Sequence, residues 1–319
     1  MRASYPGIDL IRLSAAFIVV AYHLGFSASR DGPLAWACSA GWVGVPVFFV
    51  VSGFVIALTA EGRTAGQFAL SRFLRLYPAA WICASITFLV AGGTWAEFGR
   101  SVILFPLGPW IDNVYWTVAV ELVFYALVFV ALWRSGDLRE LAAGLGLYSS
   151  AFWVLKAIRI IDLTGIENYA GFLLLAHDGV FFAIGMCLWQ KRPRLAVSFS
   201  VIGFGAVLAR SHAITEVEVA PFFVPAAIWL AALMLIVFSS RRPALWSVRT
   251  LGLMTYPLYL VHNEVGRVIK SSAAPLGQAA AFAIATFAVI TISFLILPLE
   301  RRIRRLLRRS LALGSADLE

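Results

Sequence analysis

The chain runs to 319 residues, 61% of them hydrophobic and only 13% charged, with a formal net charge of +9. A composition this apolar excludes an ordinary soluble globule and marks an integral membrane protein. The basic surplus does not point to nucleic acid, because the basic residues fall in short clusters between apolar runs, as in polytopic proteins that orient by charge.

The first apolar stretch carries Asp9, Arg12 and His23. Arg12 and His23 are eleven residues apart. On an α-helix that spacing returns to within roughly 20° of one face and covers about 16 Å of axis. One face would then hold a cation able to snorkel to a membrane surface and a histidine near mid-depth that needs a partner or a wet cavity. Leu13 to Phe26 has the length of a signal-peptide core, yet Arg12 and His23 argue for a retained helix.

In the second stretch, Gly41, Gly44 and Gly53 allow close packing on a neighbour, and Ser52 offers a hydrogen bond inside the bundle. Arg72 and Arg75 project from one side of a short helix at the membrane surface. Two guanidinium forks suit a phosphate-bearing ligand, with a plain orientation signal as the alternative. Glu121 lies a few residues below the outer end of the fourth span, at a depth compatible with His23. A carboxylate bonded to that imidazole would fix its tautomer, while a structural contact to Arg or Trp competes.

His177 and Asp178 in the sixth span, and Tyr259 and His262 in the ninth, add further polar groups. His262 matches His23 in depth, so either could be a catalytic histidine, with bundle hydrogen bonding as the plainer role for His262. No Gly-rich phosphate loop, metal-spaced cluster or redox cysteine pair is present, and no metal is expected.

Apolar stretches of spanning length lie near 10–27, 42–58, 78–92, 116–133, 141–158, 172–189, 195–209, 222–238, 250–269 and 278–298. The expected fold is therefore all-α, with about ten transmembrane helices. Most of the 26 basic residues, including Arg2, Arg12, Arg72, Arg75, Arg241 and Arg242, fall on one side, which places both termini in the cytoplasm. Residues 1–300 form a transmembrane domain. Residues 301–319 form a basic amphipathic tail that reads as a surface anchor on anionic lipid.

Taken in order, these motifs resemble the acyltransferase 3 family of bacterial cell-surface carbohydrate O-acyltransferases. The resemblance rests on Arg12 with ten residues before His23, Gly44-Val-Pro-Val-Phe-Phe-Val-Val-Ser-Gly-Phe54, Arg72-x-x-Arg75 before Tyr77-Pro78, Trp116 to Tyr125 around Glu121, Phe182-x-x-Gly185-Met186, and Tyr256-x-x-Tyr259-x-x-His262 before Glu300. It implies transfer of an acyl group, usually acetyl, from cytoplasmic acyl-coenzyme A to a hydroxyl of a carbohydrate or glycolipid acceptor at the inner membrane. It also makes His23 the catalytic residue, Arg12, Arg72 and Arg75 donor contacts, and Glu121 an acidic residue on the acceptor side. Asp9, Asp178, Tyr259 and His262 remain further polar candidates. The chain departs from the pattern at Gly7 to Arg12, which lacks the small residue often preceding this arginine, and at Ala119, where Ser is common. The rival reading is a proton- or solute-coupled transporter, since ionisable groups at mid-membrane serve both. No internal repeat supports that rival. The sequence sets neither the acceptor nor the oligomeric state.

Overall fold

The computed structural model describes residues 5–27, 32–161, 165–215, 221, 223–241 and 249–316, and every regular element among them is helical. Arg2 and Arg242, counted above toward the charge bias, lie outside the described residues. Helix α1 (Pro6–Ala21) begins with Pro6 in its first turn, where the missing N–H costs nothing. It passes directly into a π-helical turn, Tyr22–Ser27, which carries His23. Wide turns of this kind recur at functional sites.

After α2 (Gly32–Cys38) and a 3-10 turn (Ser39–Val43) comes α3 (Gly44–Ala60). Helix α4 (Ala65–Ala91) starts at a capping box, in which the Gln67 amide N–H donates to the Thr64 hydroxyl and the Thr64 N–H to the Gln67 side chain. It then runs through Pro78 as one helix of 27 residues, about 40 Å long. Arg72 and Arg75 therefore lie within a spanning helix rather than on a separate short one. The box sets the start upstream of them.

Helices α5 (Trp95–Val102), α6 (Tyr115–Trp133), α7 (Leu138–Ala157), α8 (Gly165–Leu173), α9 (Gly179–Trp189), α10 (Pro193–Thr215), α11 (Phe223–Ser240), α12 (Arg249–Val261), α13 (Glu264–Ser272) and α14 (Gln278–Ala316) follow. Seven helical stretches are long and apolar enough to cross a membrane, and Gly179–Trp189 and Thr250–Val261 are shorter apolar helices. The expected count of ten is thus not reproduced among the described residues. The stretch at 172–189 breaks between α8 and α9 at His177-Asp178, and that at 250–269 breaks between α12 and α13 at His262-Asn263. In both places the break sets polar side chains between two helix ends, which a continuous apolar pattern does not reveal.

Short α9 is the hub. All residues from Gly179 to Cys187 are buried, as a helix apolar on every side requires. It packs on α3 with backbones nearly touching: a Cβ on Gly185 would run into the Val50 carbonyl, and one on Gly53 into the backbone of Phe182. Gly41 and Gly44 bring the start of α3 equally close to the α1 backbone at Ile18 and Ala15. The small residues of the second stretch thus serve two neighbours, as helix packing in lipid favours. At its far end α14 continues without a break across residue 300 to Ala316.

Candidate functional site

A cavity of about 820 Å³ opens where α1, α3, α4, α6, α12 and α14 converge. Six arginines line it, Arg12, Arg63, Arg72, Arg75, Arg304 and Arg308, against two carboxylates, Asp9 and Glu121. The lining carries a net positive charge inside an apolar bundle, a setting that favours an anionic occupant. Asp9 accepts from Arg12 Nη2 at 2.5 Å, and Gly252 leaves the room for that pair. Arg72 sits 5.7 Å from the Phe68 ring centre and 5.8 Å from that of Tyr125. Arg75 lies over Tyr256, donates to the Gly252 carbonyl at 3.5 Å and approaches Glu300 at 3.8 Å. Among the described residues, buried Arg12 Nε, Arg75 Nη1 and Arg304 Nε find no hydrogen-bond acceptor, Arg75 Nη1 reaching Glu300 only at 3.8 Å. Unmet donors of this charge are costly unless a ligand supplies oxygen.

Glu121 belongs to this cavity. It accepts from the Tyr125 hydroxyl at 2.6 Å and from Ser52. The pairing of Glu121 with His23 anticipated from depth is not formed. Depth is readable from sequence, but helix face decides contact: Glu121 faces Ser52 on α3, whereas His23 turns toward α12.

The partner of His23 is His262. His262 Nε2 lies 3.0 Å from His23 Nδ1, while His262 Nδ1 lies 2.7 Å from the Tyr259 carbonyl oxygen. A carbonyl only accepts, so His262 Nδ1 carries the proton and its Nε2 holds a lone pair. That lone pair accepts from His23 Nδ1–H, which also faces the Val19 carbonyl at 3.1 Å. The network so assigned leaves His23 Nε2 deprotonated, the form needed for a base or nucleophile. His23 does not line the cavity. Tyr259 does, with its ring 5.6 Å from Phe48 and 5.4 Å from His262, so one aromatic layer stands between cavity and histidine pair.

A profile describing an acyltransferase domain, that of the acyltransferase 3 family, matches residues 5–298. The chain belongs to the acyltransferase 3 family. Among curated relatives, it is 39% identical to the peptidoglycan O-acetyltransferase OatA of Listeria monocytogenes over 88 residues, 25% of this chain and 13% of that protein. It is 29% identical over 206 residues, 62% of this chain and 26% of the relative, to YrhL of Bacillus subtilis, whose naming as a peptidoglycan O-acetyltransferase is provisional. The chain thus matches about a quarter or less of either relative's length. No solved structure matches it.

In this acyltransferase 3 chain, a second polar cluster beside the histidines went unnoticed in the sequence. Buried Asp112 accepts from Asn263 Nδ2 and the Glu264 amide, each at 2.9 Å, and from the Val114 amide at 3.1 Å. It clamps the break between α12 and α13, and so the position of His262. Lys270 Nζ donates to the Leu24 carbonyl at 2.6 Å, tying α13 to the π-helical turn. The signals were faint: one acid in a Gly- and Pro-rich segment, and one lysine in a short helix.

Asp178 lies apart from the cavity and the histidine pair. It is fully buried and accepts from Arg210 Nη2 at 2.6 Å, while Arg210 stacks within 5.4–5.6 Å of Phe172, Trp153 and Phe181. His177 is stacked on Phe172 at 4.1 Å, and neither ring nitrogen has a hydrogen-bond partner among the described residues. This pair joins α9 to α10. Among the described residues no group of three or more His, Cys, Asp or Glu could hold a metal ion.

Proposed function

We propose that this chain is a multi-pass inner-membrane O-acyltransferase with both termini cytoplasmic, moving an acyl group, acetyl in the simplest case, from acyl-coenzyme A to a hydroxyl of a glycan-like acceptor. The observation that carries the reading is the His262–His23 hydrogen bond, which leaves an imidazole lone pair one aromatic layer away from an arginine-lined cavity in a chain of this family. The peptidoglycan-directed names of the relatives support a glycan acceptor.

In the mechanism, the arginines hold the coenzyme A phosphates at the cavity mouth, and the flexible arm carries the thioester past Tyr259 toward His23. In one route His23 Nε2 takes the proton of the acceptor hydroxyl, the oxygen attacks the thioester carbonyl, the C–S bond breaks, and the thiolate leaves with that proton. In the other, Nε2 attacks the carbonyl and displaces the thiolate, and His23 gives its Nδ1 proton to His262 Nε2. The acceptor oxygen then attacks the acylimidazole carbonyl, the C–Nε2 bond breaks as His262 returns its proton to His23 Nδ1, and the hydroxyl proton leaves with the coenzyme A thiolate. In both, His262 buffers the proton on the far nitrogen. Glu121 does not reach the imidazole; it orders the donor cavity through Ser52 and Tyr125.

The test is incubation of the detergent-purified chain with radiolabelled acetyl-coenzyme A, comparing the parent with His23→Ala. Loss of thioester turnover in a folded variant is expected, and label retained on the parent selects the acylimidazole route. Undiminished turnover in the variant overturns the assignment of His23.

A further inference from the structure

The basic segment after Glu300 has so far been read as an anchor on anionic lipid. Its placement argues otherwise. Glu300, Arg304 and Arg308 are spaced by four on α14, so each step rotates by about 40° and the three share one side. Arg304 and Arg308 line the cavity. Glu300 is 1% exposed, pairs with Arg304, and comes within 3.8 Å of Arg75 on α4. The ion pairs thus fasten the end of α14 against the α4 arginine that faces the same space. Arg304 is half-buried and Arg308 exposed at the rim, whereas Arg302 and Arg309, on the other side of the helix, are exposed and do not line the cavity. A helix serving only as a lipid anchor has no reason to turn two of its arginines toward an already positive cavity.

We infer that Arg304 and Arg308 are ligands of the donor, holding a phosphate of its nucleotide end and completing from α14 the clamp that Arg72 and Arg75 begin on α4. This rests on the acyl-coenzyme A reading above and deepens it. Glu300 acts as the positioning residue: through Oε1 it pairs with Arg304 and approaches Arg75, and so aims both guanidinium groups. The consequence is that the tail belongs to the binding site.

The experiment measures coenzyme A binding to the purified full chain in neutral detergent, with and without added phosphatidylglycerol. It compares the parent with Arg304→Ala plus Arg308→Ala and with Arg302→Ala plus Arg309→Ala, two pairs that remove equal charge. Arg308→Ala alone is added because it leaves the Glu300–Arg304 pair intact and so guards against misfolding. Expected is at least tenfold weaker binding for the cavity-facing pair, a measurable loss for Arg308→Ala, and parental affinity for the outward pair, all independent of lipid. Equal effects of the two pairs, or losses that vanish or appear only with phosphatidylglycerol, overturn the inference in favour of a lipid-binding tail while leaving the donor reading intact. A folded parent that binds no coenzyme A rejects the donor reading itself, and this inference with it.

Discussion

His262 Nε2 stands 3.0 Å from His23 Nδ1, and the two imidazoles come from helices 239 residues apart in the chain. The bond fixes one tautomer on each ring. Replacing His262 by Phe removes the acceptor but keeps an aromatic body, leaving the Val19 carbonyl as the one remaining partner of His23 Nδ1. Turnover should fall by about 10²-fold, the low end of what acid–base assistance contributes, with donor affinity unchanged. Steady-state kinetics with a saturating donor decides this; a rise in KM with parental kcat contradicts it.

The double substitution of Arg72 and Arg75 by Ala should act on donor affinity. Hydrogen bonds to charged groups are each worth about 1.5–3 kcal/mol, so coenzyme A binding should weaken by at least about tenfold. Arg75→Ala also strips a neighbour from buried Glu300, so its thermal stability is expected to drop further than that of Arg72→Ala. Equal donor binding in variant and parent rejects the assignment.

Arg210→Ala should destabilise without touching chemistry. It leaves Asp178 buried and unpaired, a situation that costs about 3–5 kcal/mol in folded proteins. The measurement is the detergent unfolding midpoint, together with specific activity of the fraction that remains folded. Combining Arg210→Met with Asp178→Asn should recover much of the loss, as a double-mutant cycle would register.

Gly185→Ala should separate α3 from α9. The added methyl meets the Val50 carbonyl and the Phe54 amide, neither of which can swing aside. Overpacking of this kind costs about 1–3 kcal/mol, and here the clash is with backbone, so the upper part of that range is expected. Gly205→Ala, where nothing lies within reach of a Cβ, serves as the control and should be silent.

Much of this arrangement was legible in the sequence where physics leaves few options. Apolar runs gave most of the helices, and small residues at Gly44 and Gly53 gave the close approach. The spacing of Arg72 and Arg75 put two guanidinium groups on one helix side, open to a phosphate or to a plain orientation signal, while a donor role for Arg12 came only from the family resemblance. Helix face and helix type were less accessible. The eleven-residue arithmetic that set His23 on the face of Arg12 assumes uniform α geometry, and the chain turns π-helical from Tyr22 onward. Asp112 and Arg210 escaped notice because each is meaningful only beside a partner distant in sequence. Arg304 and Arg308 looked like any other residues of a basic stripe until the direction of α14 was known.

The contact of Phe48 with Tyr259 bears on the bilayer as an electrical insulator. Under the proposed function, a water-soluble donor admitted from one side and an acceptor served on the other would require two wet paths that nearly meet. Joined, they would let protons run down the gradient the cell maintains, at a rate no acylation could justify. On that reading Phe48 and Tyr259, ring centres 5.6 Å apart on the cavity wall, would be the side chains that keep cavity water from the histidine pair, so the insulation of the membrane would rest on groups the acyl arm has to pass.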